Sequence, residues 1–195
     1  MAPRRHLVSP AGKLLRQCSL ALALLLLLPD ARQANGGTVA HEPELKAGFL
    51  CNFSHFTDWP AETFADEETP MVIGVLGRDP FGSILDEAVR GEHVNQRPLV
   101  VIRFKRVEDI KACQVLFIGD SETKRLPAIL AKLAGRSILT VSDMDGFTSQ
   151  GGMVRYLTST NGVQLEVNLE AVKAAKLLMS SKLLRTAEIV STKKK

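Results

Sequence analysis

Apolar positions after residue 43 follow two patterns, stripes at helical spacing and short uninterrupted runs. Leu45, Phe49, Leu50, Phe53 and Phe56 fall on one stripe and predict a helix over Glu44–Phe56. Pro60 stops it, and Trp59 before that proline is biased to extended geometry. The runs Met71–Leu76, Leu99–Phe104, Val115–Ile118 and Ile138–Val141 predict buried strands. Between them, Phe81–Val89, entered through Asp79-Pro80, and Ser121–Leu133, ended by Gly135, read as helices. A polar, glycine-bearing loop spans Ser142–Gly152. Met153–Thr158 and Val163–Leu169 flank Ser159-Thr160-Asn161-Gly162, and Asn-Gly between alternating runs is a strong hairpin signal. Glu170–Leu178 predicts a last long helix and Lys182–Ala187 one further turn.

Strands that are continuous apolar runs, alternating with helices, predict a mostly parallel sheet covered on both faces. The expected fold is a three-layer α/β sandwich, flavodoxin-like or Rossmann-like in layout, with a C-terminal antiparallel hairpin at one edge.

One apolar run comes earlier. Leu20 to Leu28 follows Arg4, Arg5, Lys13 and Arg16, ends at Pro29, and is trailed by Ala34, Gly36, Gly37 and Ala40. A charged start, an apolar stretch of about 7–15 residues and a small-residue exit mark a secretory signal peptide. The run is shorter than the about 20 residues that span a bilayer. Residues 1–36 are therefore expected to be a cleaved leader, with cleavage after Gly36 or Ala40, and 43–190 a single domain.

The leader changes the charge argument. Of 25 basic and 21 acidic residues, five basic (Arg4, Arg5, Lys13, Arg16, Arg32) and one acidic (Asp30) lie in residues 1–36. The expected mature part is balanced and offers no basic face for phosphate contacts, which argues against a nucleic-acid partner. The lysines at 193–195 read as a solvated end.

Candidate chemistry is sparse. After the leader the histidines are His41, His55 and His93, with no His-x-x-x-His and no Cys-x-x-Cys, so no metal site and no cofactor are expected. Gly119-Asp120-Ser121 lacks the nucleophile-elbow pattern. Cys113 opens an apolar strand and Cys51 lies inside a helix, positions that favour packing over reactivity. Gly74 to Gly82 has the wrong spacing for a dinucleotide fingerprint, and Pro80 removes a donor. No catalytic residue is assigned, and an enzyme is not expected.

Two surfaces remain. Loops after Leu76, Ile118 and Val141 are expected at the carboxyl rim of the sheet, where open α/β sheets bind ligands. They carry Asp79, Phe81, Gly82, Ser121, Asp143, Gly151 and Gly152, the candidate small-ligand residues. The plainer reading of the same residues is helix caps and tight turns. Phe53, Phe56 and Trp59 are candidate partner contacts, because aromatics are enriched at interfaces. For Trp59 a core or lid position is an equal alternative.

Several phrases carry a resemblance. They are Leu45-Lys-Ala-Gly-Phe-Leu-Cys-Asn-Phe-Ser-His-Phe-Thr-Asp-Trp-Pro60, Ile73-Gly-Val-Leu-Gly-Arg-Asp-Pro-Phe-Gly82, Cys113-Gln-Val-Leu-Phe-Ile118 and Ile138-Leu-Thr-Val-Ser-Asp143. Gly146-Phe147, Gly151-Gly-Met153, Glu166-Val-Asn-Leu169 and Ser180-Ser-Lys-Leu-Leu184 continue it. Together they resemble the YfiR family of exported bacterial proteins over nearly the whole expected mature chain. The resemblance implies a periplasmic regulator that restrains a membrane-anchored diguanylate cyclase or sensor protein through its periplasmic part, and so tunes cyclic di-GMP and biofilm formation. A homodimer is a further expectation, and a small-ligand binding module using the strand-end loops is the alternative. The family type has redox-sensitive disulfides, and here the sequence departs from it. Cys113 matches a family cysteine, but its usual partner corresponds to Gly74, and Cys51 stands where the family commonly has a tyrosine. A Cys51–Cys113 bridge requires Cα atoms within about 7 Å.

Overall fold

Three of the four short apolar runs form strands covered on both faces, while in Leu99–Phe104, expected to be buried, only Leu99 is, and Ile102 is 40% exposed because that strand lies next to the sheet edge. In the computed structural model, which describes residues 42–160 and 162–191, β2 (Met71–Leu76), β5 (Val115–Ile118) and β6 (Leu139–Ser142) are buried at every position. The expected leader with its exit to Ala40, His41, Asn161 and Lys193–Lys195 lie outside the described residues.

Chain order begins with α1 (Glu42–Phe56), whose first turn carries Glu42 and Glu44, the sign that the helix dipole favours there. A two-residue strand β1 (Thr57–Asp58) follows, then β2. Next come α2 (Ser83–Ala88), β3 (His93–Val94) and β4 (Arg97–Phe104). After β5, a 3-10 turn (Asp120–Arg125) leads into α3 (Leu126–Leu133) and β6. The hairpin strands are β7 (Val154–Ser159) and β8 (Gly162–Asn168). The chain ends in α4 (Leu169–Ala174), β9 (Leu178–Met179), α5 (Ser181–Leu184) and β10 (Ala187–Val190).

The main sheet runs β10-β8-β7-β6-β5-β2-β4-β3. β4, β2, β5, β6 and β7 are mutually parallel, in the doubly wound 2-1-3-4-5 order of flavodoxin-like sheets. The chain steps from β2 to β4 on one side, then returns to β5 on the other. Right-handed crossovers in opposite directions place α2 and α3 on opposite faces. Two cores result. One gathers Leu50, Phe53, Leu85, Phe117, Tyr156 and Val172; the other gathers Leu76, Cys113, Leu116, Leu126, Ile129 and Phe147.

The three-layer expectation holds, with changes at the C-terminus. The hairpin is present, but β10 pairs parallel to β8 outside it, so the hairpin is not the edge. The helix expected over Glu170–Leu178 stops at Ala174, and Lys176 takes a left-handed φ of 60°. That turn buries Leu177 and sends Leu178 into β9, which pairs with β1. Ser121 to Arg125 is 3-10 rather than α-helical.

The β6–β7 connection has no helix, because Phe147 fills that space at 0% exposure and Gly152 presses on its ring. A Cβ on Gly152 would lie 2.3 Å from Phe147 Cε1, whereas one on Gly48 in α1 meets nothing within 4 Å. Gly152→Ala is therefore expected to lower stability by about 1–3 kcal/mol. Gly48→Ala is expected to raise it by about 0.5–1 kcal/mol. Urea unfolding midpoints check both signs.

Candidate functional site

The switch between β4 and β5 on either side of β2 leaves a crevice at the carboxyl ends of β2 and β5, where doubly wound sheets place ligands. A cleft of about 460 Å³ lies there, lined by Arg78, Pro80, Phe117, Gly119, Asp120, Asp143 and Met144. Its floor is backbone against backbone. Gly119 N–H donates to Leu76 O at 2.8 Å, and a Cβ on Gly119 would meet Arg78 O at 2.3 Å.

Most of the polar groups expected at this rim are already engaged. Asp79 Oδ1 accepts from the N–H groups of Phe81 (2.7 Å) and Gly82 (3.2 Å), and its Oδ2 accepts from Arg103 Nε at 2.7 Å. It caps the entry to α2. Phe81 is buried, edge-on to Phe117 with ring centroids 4.8 Å apart. Gly82 is exposed at the N-cap of α2 with φ 51°. Ser121 Oγ accepts from Arg78 N–H at 2.8 Å, which locks the loops after β2 and β5 together. Arg78 and Asp120 pair at 3.2 Å, both exposed.

Asp143 is held from beneath by a lysine that the sequence pattern did not single out. Lys46 Nζ donates to Asp143 Oδ2 at 2.9 Å and pairs with Glu42 Oε1 at 2.6 Å, with its side chain 8% exposed. The ammonium lies 5.8 Å from the ring centre of Tyr156, whose hydroxyl donates to Lys46 O at 2.9 Å. Burial alone would lower the Lys46 pKa, but the bonds to Glu42 and Asp143 outweigh it and raise the pKa. The bond from Lys46 holds Glu42 below its ordinary range despite partial burial. The available signal was a lysine on the apolar side of α1, four residues after Glu42.

Gly151 and Gly152 do not join this rim. β6 and β7 are parallel, so the loop between them travels back along the sheet and ends near the amino end of β6, where Met153 N–H donates to Thr140 Oγ1 at 3.1 Å. Gly151 there lines a small apolar groove beside α3 and α4. Of the expected ligand residues, Asp79, Phe81, Gly82, Ser121 and Asp143 come together at the carboxyl end.

The aromatic trio also divides. Phe53 is 0% exposed and belongs to the core, so it is no contact residue. Phe56 and Trp59 are half-buried and flank β1. β1 pairs with β9 outside the main sheet, with Asp58 opposite Leu178, which is 68% exposed. Trp59 Nε1 and Thr57 Oγ1 are buried with no hydrogen-bond partner among the described residues. Leu178 was missed because the pattern placed it at a helix end.

Cys51 and Cys113 are free thiols. They cannot pair, because Cys51 packs on the core under α1 and Cys113 lies in the core on the opposite face of the sheet. Burial pushes Cys51 up to about 11 and Cys113 up to about 12, so both stay protonated and poorly nucleophilic at neutral pH. Gly74, by contrast, faces Cys113: a Cβ built on it falls 2.7 Å from Cys113 Sγ. Among the described residues, no three His, Cys, Asp or Glu side chains converge to hold a metal. His55 and His93 are exposed.

The family described as YfiR/HmsC-like matches residues 43–188. No curated protein matches the chain.

Lys46→Met is expected to cost about 1–3 kcal/mol near neutral pH, since it strips hydrogen bonds from two carboxylates. Glu42 has a lowered pKa, so its contribution is present above its ordinary 4.5 and is lost as pH falls through the folded value. The gap between wild type and Lys46→Met in thermal melts therefore narrows as pH falls below about 4.5. Gly74→Cys is expected to bond oxidatively to Cys113, leaving Cys51 the one titratable thiol of the described domain in a denaturing thiol assay. Recovery of all three would contradict it.

Proposed function

This chain belongs to the YfiR/HmsC-like family, and we propose that it is a periplasmic regulator that binds the periplasmic part of an inner-membrane diguanylate cyclase or sensor protein. The family is periplasmic and regulatory, and acts in cyclic di-GMP signalling. The match over residues 43–188 is the observation that carries the reading. Among the described residues no helix is long and apolar enough to cross a membrane. The charged start and apolar run of residues 1–36 support export.

For the docking surface, the β1–β9 ribbon with Phe56, Trp59 and Leu178 is the favoured patch. It lies outside the main sheet and presents a large exposed leucine beside two half-buried aromatics. A central aromatic and aliphatic anchor is the usual source of binding energy at such contacts.

The switch-point cleft supports a second reading, a small-ligand module. Its volume suits a small metabolite, and Arg78 and Asp120 at its mouth are exposed. A ligand that binds only the folded state at a hundred times its Kd raises stability by about 2.7 kcal/mol, visible as a thermal shift.

Purified protein incubated with solubilised membranes is expected to retain a diguanylate cyclase or sensor protein identifiable by mass spectrometry. Trp59→Ala and Leu178→Asp are expected to weaken that retention by about tenfold or more. Retention of neither class by the wild type contradicts the reading.

A further inference from the structure

The near-balance of charge along the chain conceals a segregation by face. α1 and α2 cover one face of the sheet and carry Glu42, Glu44, Asp86 and Glu87, with Lys46 their single lysine or arginine. α3 and the loop before β5 cover the other, where Ile110 of the loop shares a core with Leu126, Ile129 and Leu133 of the helix. Lys132 pairs with Glu108, and Arg136 Nη2 donates to Ile110 O at 2.8 Å and to Lys111 O at 3.0 Å. Loop and helix are thereby one surface. Residues 105–136 include seven basic and four acidic side chains, whereas residues 42–92 include three basic and eleven acidic.

The carboxylates on the α3 side are all engaged. Asp109 pairs with Arg106 at 2.7 Å, Glu108 with Lys132, and the buried Glu122 with Arg125 at 2.6 Å. Asp120, at the rim, pairs with Arg78. Arg106, Arg125 and Lys132 stay more than half exposed within their pairs. Lys111 and Lys124 are exposed, and among the described residues they form no ion pair. Between these cations the outer side of α3 exposes only Pro127, Ala128 and Ala131, and Ala134 follows its end. Those side chains are short, so a broad surface can approach the cations closely.

We propose that this face rests on the anionic headgroups of a phospholipid bilayer. Arg106, Lys111, Lys124, Arg125, Lys132 and Arg136 are spread along the whole of α3 and onto its flanking loop. A cluster of about four to eight lysines and arginines suits an anionic lipid surface, where each is worth about fivefold in binding. The same headgroups repel the acidic face of α1 and α2, which fixes the orientation of the domain on the bilayer. Phe56, Trp59 and Met179 of the ribbon pack on the core beneath α1. A domain resting on α3 therefore turns the ribbon's side away from the lipid, where the periplasmic part of a membrane protein can reach it. The attachment is to lipid alone and stands independently of which protein the ribbon meets.

Protein beginning at His41 keeps every residue of the two cores. In vesicle sedimentation at about 0.1 M salt it is expected to bind phosphatidylglycerol-containing vesicles about tenfold or more better than pure phosphatidylcholine vesicles. It is expected to leave them at about 1 M salt, where charges are screened beyond about 3 Å. Lys111→Gln combined with Lys124→Gln is expected to weaken binding by about 25-fold, about fivefold for each lysine, with thermal unfolding unchanged. Arg90→Gln combined with Lys182→Gln makes the same change of charge beside Val89 and Leu183 of the α1-side core. That pair is expected to leave binding within about twofold, because the lipid field falls off within a Debye length. An environment-sensitive fluorophore on Ala128→Cys is expected to shift to the blue on the anionic vesicles, and one on Glu87→Cys is not. Absent binding, equal binding to neutral vesicles, or equal loss in the two double variants overturns the proposal. So does a blue shift at Glu87→Cys with none at Ala128→Cys.

Discussion

A continuous chain of aromatic contacts holds the first core together, and the placement of the functional surfaces depends on it. Phe49 and Phe53 of α1 meet Tyr156 of β7; Tyr156 meets Phe117 of β5; Phe117 meets Phe81, which opens the way to α2. Each ring is an anchor for a different element. α1 is thereby laid across β5, β2 and β8 rather than left as an N-terminal appendage, and Lys46 is carried to the carboxyl rim where it holds Asp143. At the other end of α1, Ser180 N–H donates to Phe56 O at 2.8 Å and β1 meets β9. One helix thus ties the rim at its start to the ribbon at its end.

Those contacts also explain why the rim makes little chemistry of its own. Asp79 caps α2 and anchors Arg103, Ser121 stitches two loops, and Asp143 completes the Lys46 cluster. Side chains committed to holding loops are poor candidates for general acid or base work, which needs a group free to exchange a proton with substrate. Such a rim suits a protein whose output is a contact, as the regulatory character of the YfiR/HmsC-like family has it.

Much of the sheet was legible because its central strands β2, β5 and β6 are buried on both faces. Met71–Leu76 and Val115–Ile118 match their apolar runs residue for residue, and the hairpin follows from its turn. β1, β3 and β9 escaped because two residues carry no pattern to read, and β10 because Glu188 interrupts its apolar positions and none of its four residues is buried. The end of α4 escaped because Lys176 adopts a left-handed conformation that lysine does not advertise. Strand order, and with it the switch-point cleft, depends on crossover directions that no local pattern encodes. The site was legible in its parts: the rim residues other than Gly151 and Gly152 do meet. Their partners, Lys46 and Arg103, were hidden in a helix stripe and an edge strand. Phe53 was misplaced because an apolar stripe shows which face of a helix is buried, not which of its rings retain exposure.

The proposed regulation of cyclic di-GMP output from the periplasm is tested in the cell, by the intracellular cyclic di-GMP level in the native bacterium with and without the gene. A rise on deletion is expected, reversed by the wild-type gene and not by one carrying Leu178→Asp. An unchanged level on deletion, or full reversal by the Leu178→Asp gene, would contradict it.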